Sequence, residues 1–256
     1  MNKFSIAIPT YNSSIHMRDL LKSLFSSSSN FIIDEIIIND DNSEYEDYKN
    51  LEILINKFSP KHPDTKFQLS RNNINLGGFK NKYITVEKCS NELIYQIDSD
   101  NKVKKNFISF IEKSKLSKNF LYLPSKIHTF SESSKSEKKI KFTRKYGEFT
   151  KEQVISFLLK NNNVNKKDLN WVMNIGNPVF YKDSYLEKLE EGLDSNLNLS
   201  ACSYALTYFW LKNGGSLWLD KKHSHSHRLH DKSYWVMSGN KAVESVNFFR
   251  NELISL

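Results

Sequence analysis

The chain has 256 residues, 39% apolar and 26% charged, with 37 Lys and Arg against 29 Asp and Glu and a formal net charge of +8. That balance excludes a largely disordered chain, and no stretch approaches the roughly 18 consecutive apolar residues that cross a bilayer. Two cysteines, Cys89 and Cys202, with no CxxC or Cys/His spacing, exclude a disulfide framework and fit a reducing compartment.

Lys3 to Pro9 alternates Phe4, Ile6 and Ile8 against Ser5 and Ala7, and reads as a strand rather than a signal peptide. Ser14 to Ser27 sets Met17, Leu20, Leu21, Leu24 and Phe25 on one helical stripe, with Asn12, Ser13 and Ser14 as N-cap candidates. Asp34 to Asn39 contains Ile36, Ile37 and Ile38, a run suited to a strand covered on both faces. Ser43 to Glu46 has the form of a capping box, opening a helix with Tyr48, Leu51, Ile55 and Phe58 on its apolar face. Lys66 to Leu69 is a short strand, Gly77-Gly78 opens a helix to about Cys89, Leu93 to Ile97 is a strand, and Asn106 to Ile111 is a helix.

Such alternation predicts an α/β fold, three layers α/β/α about a mostly parallel, Rossmann-like sheet. Ligands of such sheets bind beyond the carboxyl ends of the strands. The residues there are Pro9-Thr10-Tyr11-Asn12, Asp40-Asp41-Asn42-Ser43, Ser70-Arg71-Asn72-Asn73 and Asp98-Ser99-Asp100-Asn101, a polar and acidic edge on which a nucleotide would sit.

The second half is less regular. Phe120 to Leu123 reads as a strand, Ser131 to Lys141 as an exposed loop without periodicity, and Thr150 to Gln153 as a second capping box before a helix with Val154, Phe157 and Leu158. Asn161 to Asn170 is a polar linker, Asn177 to Tyr181 a strand, and Ser200 to Asn213 a helix stopped by Gly214. Leu217 to Leu219 is a short strand followed by a polar, His-rich segment, and Asn240 to Leu256 is an amphipathic helix. The charge is uneven: Lys102 to Lys145 holds 13 Lys and Arg against three acids, so the remainder of the chain is close to neutral. A nucleic-acid binder is therefore not expected, since no recognition motif accompanies that run. Its plain reading is a solvated face, and its sharper one is attraction to an anionic acceptor or membrane surface.

Asp98-Ser99-Asp100 is the most informative triplet. Two carboxylates at i and i+2 after a buried strand can face one ligand if the chain turns, although turns are rich in Asp in any case. Mg²⁺ or Mn²⁺ uses one or two carboxylates plus substrate phosphates, and a pyrophosphate needs such a cation both to bind and to leave.

Taken together, Ile8-Pro9-Thr10-Tyr11-Asn12, Asp40-Asp41-Asn42-Ser43, Asn75-Leu76-Gly77-Gly78 with Asn81, and Asp98-Ser99-Asp100 resemble, in order and spacing, the motifs of family 2 glycosyltransferases of the GT-A fold. The resemblance implies that Thr10 and Tyr11 line a base pocket, that Asp41 accepts from a base N–H with Asp40 close by, and that Asp100 coordinates the metal. It implies that Asp98 holds the ribose or reaches the metal through water, and that Arg71 contacts base or phosphates. Simpler roles stay open: Tyr11 as a cover for the sheet edge, Asp40 and Asp41 as helix caps, Arg71 as a solvated charge. Gly176 to Phe180 looks like the family's acceptor-side strand. His227-Arg228-Leu229-His230-Asp231-Lys232-Ser233 resembles its His-Arg-x-His-x-x-Ser segment, which nominates His227 as a metal ligand and Arg228 as a pyrophosphate ligand. An extended segment would also put His223, His225 and His227 on one side, but without the partner residues of a zinc site.

One departure matters. An inverting transferase needs a carboxylate to take the acceptor proton, and the family's usual position, counted back from Gly214, reads Cys202-Ser203. Asp194 is the first substitute and Asp231 the second. The resemblance thus implies one domain over 1–256, with a nucleotide-sugar half (1–101), an acceptor half (102–239) and a C-terminal helix (240–256). It implies an inverting hexosyltransferase using Mn²⁺ or Mg²⁺, a UDP-sugar and a hydroxyl of a glycan or glycolipid, cytoplasmic or peripheral at the membrane face. The alternative is a GT-A module, catalytically weak, that binds nucleotide sugar within a complex.

Overall fold

The computed structural model describes residues 3–26, 33–104, 116–131, 136–141, 146–160, 173, 176–231 and 233–256. The first elements are β1 (Phe4–Thr10), α1 (Ser14–Ser26), β2 (Ile33–Asp40), α2 (Tyr45–Phe58), β3 (Lys66–Arg71), α3 (Gly78–Glu87), β4 (Leu93–Gln96) and β5 (Lys102–Val103). After them come β6 (Phe120–Ser131), β7 (Ser136–Lys141), β8 (Gly147–Phe149), α4 (Lys151–Lys160), β9 (Val179–Tyr181), α5 (Lys182–Leu189), α6 (Cys202–Lys212), β10 (Ser216–Leu229) and α7 (Tyr234–Ser255).

The ten strands form one sheet in the order β3-β2-β1-β4-β9-β6-β10-β5, with β7 beside β6 and β8 beside β10. The first four strands are all parallel, and β6 pairs parallel with β10. Helix crossovers carry the chain outward from β1 to β3 and then back across to β4, so the switch point where ligands collect lies between β1 and β4.

Alternation along the strands feeds two cores. Ile6, Ile8, Ile36 and Ile38 point to one side, against Leu20, Leu21 and Leu24 of α1 and Leu51 of α2. Ala7 and Ile37 point to the other, against Phe79 of α3, Phe209 and Trp210 of α6, and Phe249 of α7. Each fully buried Ile or Leu contributes roughly 1.5–3 kcal/mol, so both faces of these strands are committed and the functional polarity is confined to the strand ends.

Several expectations are corrected. Ser136–Lys141, read as part of a loop, is strand β7, antiparallel to Lys126–Ser131. Lysines along an edge strand blunt further pairing, so such a strand lacks the apolar alternation that would reveal it. The His-rich segment is not a separate loop but the second part of β10, which continues to Leu229 after a register shift between Asp220 and Ser224. That irregularity breaks the regular alternation expected of the histidines, and His223 is fully buried beside the Tyr95 ring. The last helix begins at Tyr234, with a non-helical break at Gly239 (φ 49°). The capping box at Thr150 forms: the Gln153 amide N–H donates to Thr150 Oγ1 at 3.4 Å, and the Thr150 N–H to Gln153 Oε1 at 3.1 Å. The one at Ser43 does not form, because Ser43 Oγ donates to Asp40. The helix expected at 106–111 and the linker at 161–170 lie outside the described residues.

Candidate active site at the strand ends

The parallel ladder runs on into the loops. The Asp41 N–H donates to the Thr10 carbonyl at 2.9 Å and the Asn72 N–H to the Asp40 carbonyl at 2.8 Å, so strand register alone sets these residues side by side. Asp41 accepts from Asn72 Nδ2 (2.8 Å) and Leu76 N (2.9 Å) on one oxygen, and from Gly77 N (2.9 Å) on the other. It thereby fixes the loop that opens α3, where Gly77 needs its φ of 83°. Asn75 accepts from the Gly77 N–H at 3.1 Å. Asn81, buried, exchanges hydrogen bonds with Asn39, donating to its carbonyl at 3.2 Å and accepting from its Nδ2 at 2.7 Å.

Asp40 is fully buried and accepts from both the N–H and the hydroxyl of Ser43. Burial pushes its carboxyl pKa up, against those hydrogen bonds and the nearby Arg71. Asp40 thus braces the turn before α2, and Asp41 braces the loop before α3. Arg71 donates to the Ser43 carbonyl and lies 4.9 Å from the Tyr48 ring. Asn12, at φ 46°, accepts from the Glu44 N–H at 2.9 Å. Helix α1 is capped from outside by Asp47, which accepts from the N–H groups of Ser13 and Ser14. Pro9 pairs with Asn39 in the ladder. Thr10 is buried with no hydrogen-bond partner on its hydroxyl among the described residues, and Tyr11 is 47% exposed.

The two carboxylates after β4 have different partners. Asp98 Oδ1 forms an ion pair with Lys82 Nζ at 2.7 Å, and the Asp98 N–H donates to Asn177 Oδ1 at 2.9 Å. Gly176 has no room for a side chain, since a Cβ there would stand 2.8 Å from Asp98 Oδ2. Lys82 is buried. Burial pushes its ammonium pKa down, but the charge of Asp98 outweighs that and holds it above its ordinary value.

Asp100, beyond the buried Ser99, accepts instead from His230 Nε2 at 3.0 Å. Burial raises the Asp100 pKa, but the His230 hydrogen bond and the neighbouring imidazoles of His227, His230 and His16 bring it below the usual carboxylate value. His16 of α1 meets the His230 ring edge-on at 4.8 Å. Burial, reinforced by Arg228 and His230, depresses the pKa of His16 to about 4.

Both histidines of the expected segment act on this turn. The hydrogen bond to Asp100 comes from His230, and His227, three residues earlier, lies close enough to help lower the Asp100 pKa. Arg228 is almost completely buried: Nε donates to the Asp100 carbonyl at 3.0 Å, Nη2 pairs with Asp19 at 3.1 Å, and the guanidinium lies 4.8 Å from the Phe130 ring. It braces the backbone of the Asp100 turn and ties it to α1. Lys82 and Asp19 are the participants that sequence reasoning missed. Lys82, four residues after Gly78, was legible only as a lysine on the inner side of α3.

The donor set fits a divalent cation. Asp100 Oδ1 has no hydrogen-bond partner among the described residues, and a carboxylate beside an imidazole suits Mn²⁺ as well as harder ions. No three His, Cys, Asp or Glu side chains converge on one point among the described residues, so phosphate and water oxygens would complete the sphere. Asp194 and Asp231 are both exposed, on the segment before α6 and the turn after β10, and neither bonds to the Asp98–Asp100 turn. Cys202 begins α6, with Sγ 3.3 Å from where a Cβ of Gly78 would be. No described helix is long and apolar enough to cross a membrane.

The model of the family described as glycosyl transferase family 2 matches residues 5–190. Among solved structures, S. aureus TarS 1-349 in complex with UDP-GlcNAc is similar, with a TM-score of 0.63 at 15% identity, over 99% of this chain and 70% of that one. S. aureus TarS has a TM-score of 0.56 at 18% identity, over 99% of this chain and 42% of that one. A further structure of S. aureus TarS 1-349 has a TM-score of 0.56 at 17% identity, over 99% of this chain and 69% of that one. At these identities the likeness shows the fold. No curated protein sequence matches the chain.

Proposed function

As a member of glycosyl transferase family 2, matched over residues 5–190, the chain is a glycosyltransferase of the GT-A fold, and we propose that it moves a sugar, with inversion, from a nucleoside diphosphate to a hydroxyl of a glycan or glycolipid. UDP-GlcNAc, present in the TarS complex, is the first donor to test. In the reaction the bond between the anomeric carbon and the diphosphate oxygen breaks, the acceptor oxygen bonds to that carbon, and the acceptor proton passes to a base.

The observation that carries this reading is the division of labour at the Asp98–Asp100 turn. Asp100, with one oxygen open and His230 on the other, is the group suited to Mn²⁺ or Mg²⁺. The cation, when bound, offsets charge on the leaving diphosphate. Asp98, oriented by Lys82 and Asn177, is left to face the ribose. Thr10 Oγ1 and Asn177 Nδ2 are buried without hydrogen-bond partners among the described residues, as polar atoms kept for a ligand would be. Asp194 is the base we assign, with Asp231 second. The thiol of Cys202 in the usual base position favours one other reading, a nucleotide-sugar-binding module with weak turnover. Both cysteines are free thiols, which supports a reducing, cytoplasmic setting. The Lys102–Lys145 run supports an anionic acceptor or contact with the membrane face.

Thermal-shift screening against UDP, GDP, dTDP and CMP sugars, with and without Mn²⁺, tests the assignment, because binding raises apparent stability by mass action. Asp100→Ala should keep the fold and lose the Mn²⁺-dependent shift. An unchanged shift in that variant overturns the assignment of Asp100.

A further inference from the structure

Past the donor edge lies a cleft of about 530 Å³ between the first turn of α3, residues 195–200 and α7. That volume falls within the roughly 300–1,000 Å³ of small-molecule sites. No residue of Asp40–Ser43 or Asp98–Asp100 lines it, so it is separate from the nucleotide-binding edge. It shares with that edge the Leu76–Gly78 loop that Asp41 fixes. Its floor approaches Cys202, which packs on Gly78 where the family's base position falls.

The lining has the mixture that sugar rings require, an apolar patch for their C–H faces and many donors and acceptors for their hydroxyls. Leu76, Leu197 and Leu199 supply the patch. Ser195, Asn196 and Ser200 supply hydroxyl and amide groups from one wall, and Lys80, Lys241 and Glu244 supply charged groups from the helices. The wall is also set in advance. Asn198 Nδ2 donates to the Lys241 carbonyl at 2.9 Å, Ser245 Oγ donates to the Asn198 carbonyl at 2.6 Å, and the Ala201 N–H donates to Ser245 Oγ at 3.1 Å. A cleft whose polar groups are held in place beforehand loses less entropy on binding.

We propose that this cleft is the acceptor subsite, in which an oligosaccharide lies across the start of α3 between residues 195–200 and the Lys241/Glu244 side of α7. The proposal rests on the glycosyltransferase reading above and adds where, and by which residues, the acceptor is held.

The test uses the full chain and two variants at exposed positions, Asn196→Trp, which fills the cleft, and Lys241→Ala with Glu244→Ala, which strips its α7 wall. Calorimetry with nucleotide sugars and Mn²⁺ measures donor binding, and a glycan array supplied with the best-bound donor measures transfer. Both variants should keep donor affinity within about twofold while labelling of every glycan that the wild type modifies falls at least tenfold, about 1.4 kcal/mol. A wild type that binds no nucleotide sugar overturns the proposed function. Donor binding with no glycan labelled by the wild type, or with labelling equal in the variants, overturns the acceptor subsite alone.

Discussion

The Lys82–Asp98 ion pair makes an asymmetric prediction. The two side chains are 2.7 Å apart, but Lys82 is 8% exposed and Asp98 31%. Removing one partner of a buried pair costs about 3–5 kcal/mol because it strands the other charge, and the cost depends on which charge is stranded. Lys82→Met leaves a carboxylate that still reaches water, and should cost about 1–2 kcal/mol, below that range. Asp98→Asn leaves an ammonium with almost no solvent, and should cost about 3 kcal/mol, the low end, because the new amide oxygen still accepts a bond. For a chain of this size each kcal/mol lowers the melting temperature by about 2–4 °C, so Asp98→Asn should melt about 6–12 °C lower.

The pH dependence should differ as well. In the wild type, burial opposes the Lys82 charge but Asp98 more than compensates, so its folded pKa exceeds its ordinary 10.5. The pair's stabilisation is therefore complete at neutral pH and is lost only as pH rises through that folded value. In Asp98→Asn, burial, the largest influence on Lys82, is opposed only by the lesser effects of Cys202 and Tyr185, so the folded lysine binds its proton less tightly than the unfolded one and stability should climb with pH. Urea unfolding of wild type, both single variants and the double variant, at about pH 7 and about pH 9.5, measures these terms. The reasoning is refuted if Asp98→Asn is no less stable than Lys82→Met, or if it gains no stability at the higher pH.

Two further outcomes follow from the same turn. His230→Gln should weaken Mn²⁺-dependent UDP binding about 10–100-fold, as loss of a ligand or of its partner does; calorimetry with UDP and Mn²⁺ on wild type and variant measures it. Gly176→Ala should cost about 1–3 kcal/mol in urea unfolding and weaken nucleotide binding, because its methyl would stand 2.8 Å from Asp98 Oδ2 and must displace that carboxylate.

The strand-end edge was legible because β/α alternation and buried isoleucine runs leave little freedom: once β1, β2 and β4 are parallel neighbours, Thr10, Asp41 and the Asp98–Asp100 turn must meet. Which histidine serves Asp100 was not legible. It depends on the irregularity at Asp220–Ser224 and on where β10 stops, and both are set by pairing with β5, β6 and β8 far away in sequence. The same limit applies to Arg228, whose contacts with Asp19 and Phe130 its motif does not disclose. Local capping was legible only where nothing competed: Thr150 and Gln153 pair as their spacing suggests, while Ser43 is claimed by Asp40, a contact that its own box does not contain. Helix-cap roles for Asp40 and Asp41 were among the readings left open; Asp40 braces the turn before α2 through Ser43, and Asp41 braces the loop that opens α3.

Arg228 joins Asp19, in the second element of the chain, to the backbone of Asp100, and so ties three remote stretches into one corner. A hybrid enzyme assembled by exchanging the second half at the 101/102 boundary would therefore inherit a misshapen turn unless the incoming half brought an equivalent of Arg228 and His230, and the resident half kept Asp19. The two sides of that boundary cannot be shuffled as independent cassettes. The inheritable unit is the corner itself, and natural or laboratory recombination that respects it has to cut elsewhere.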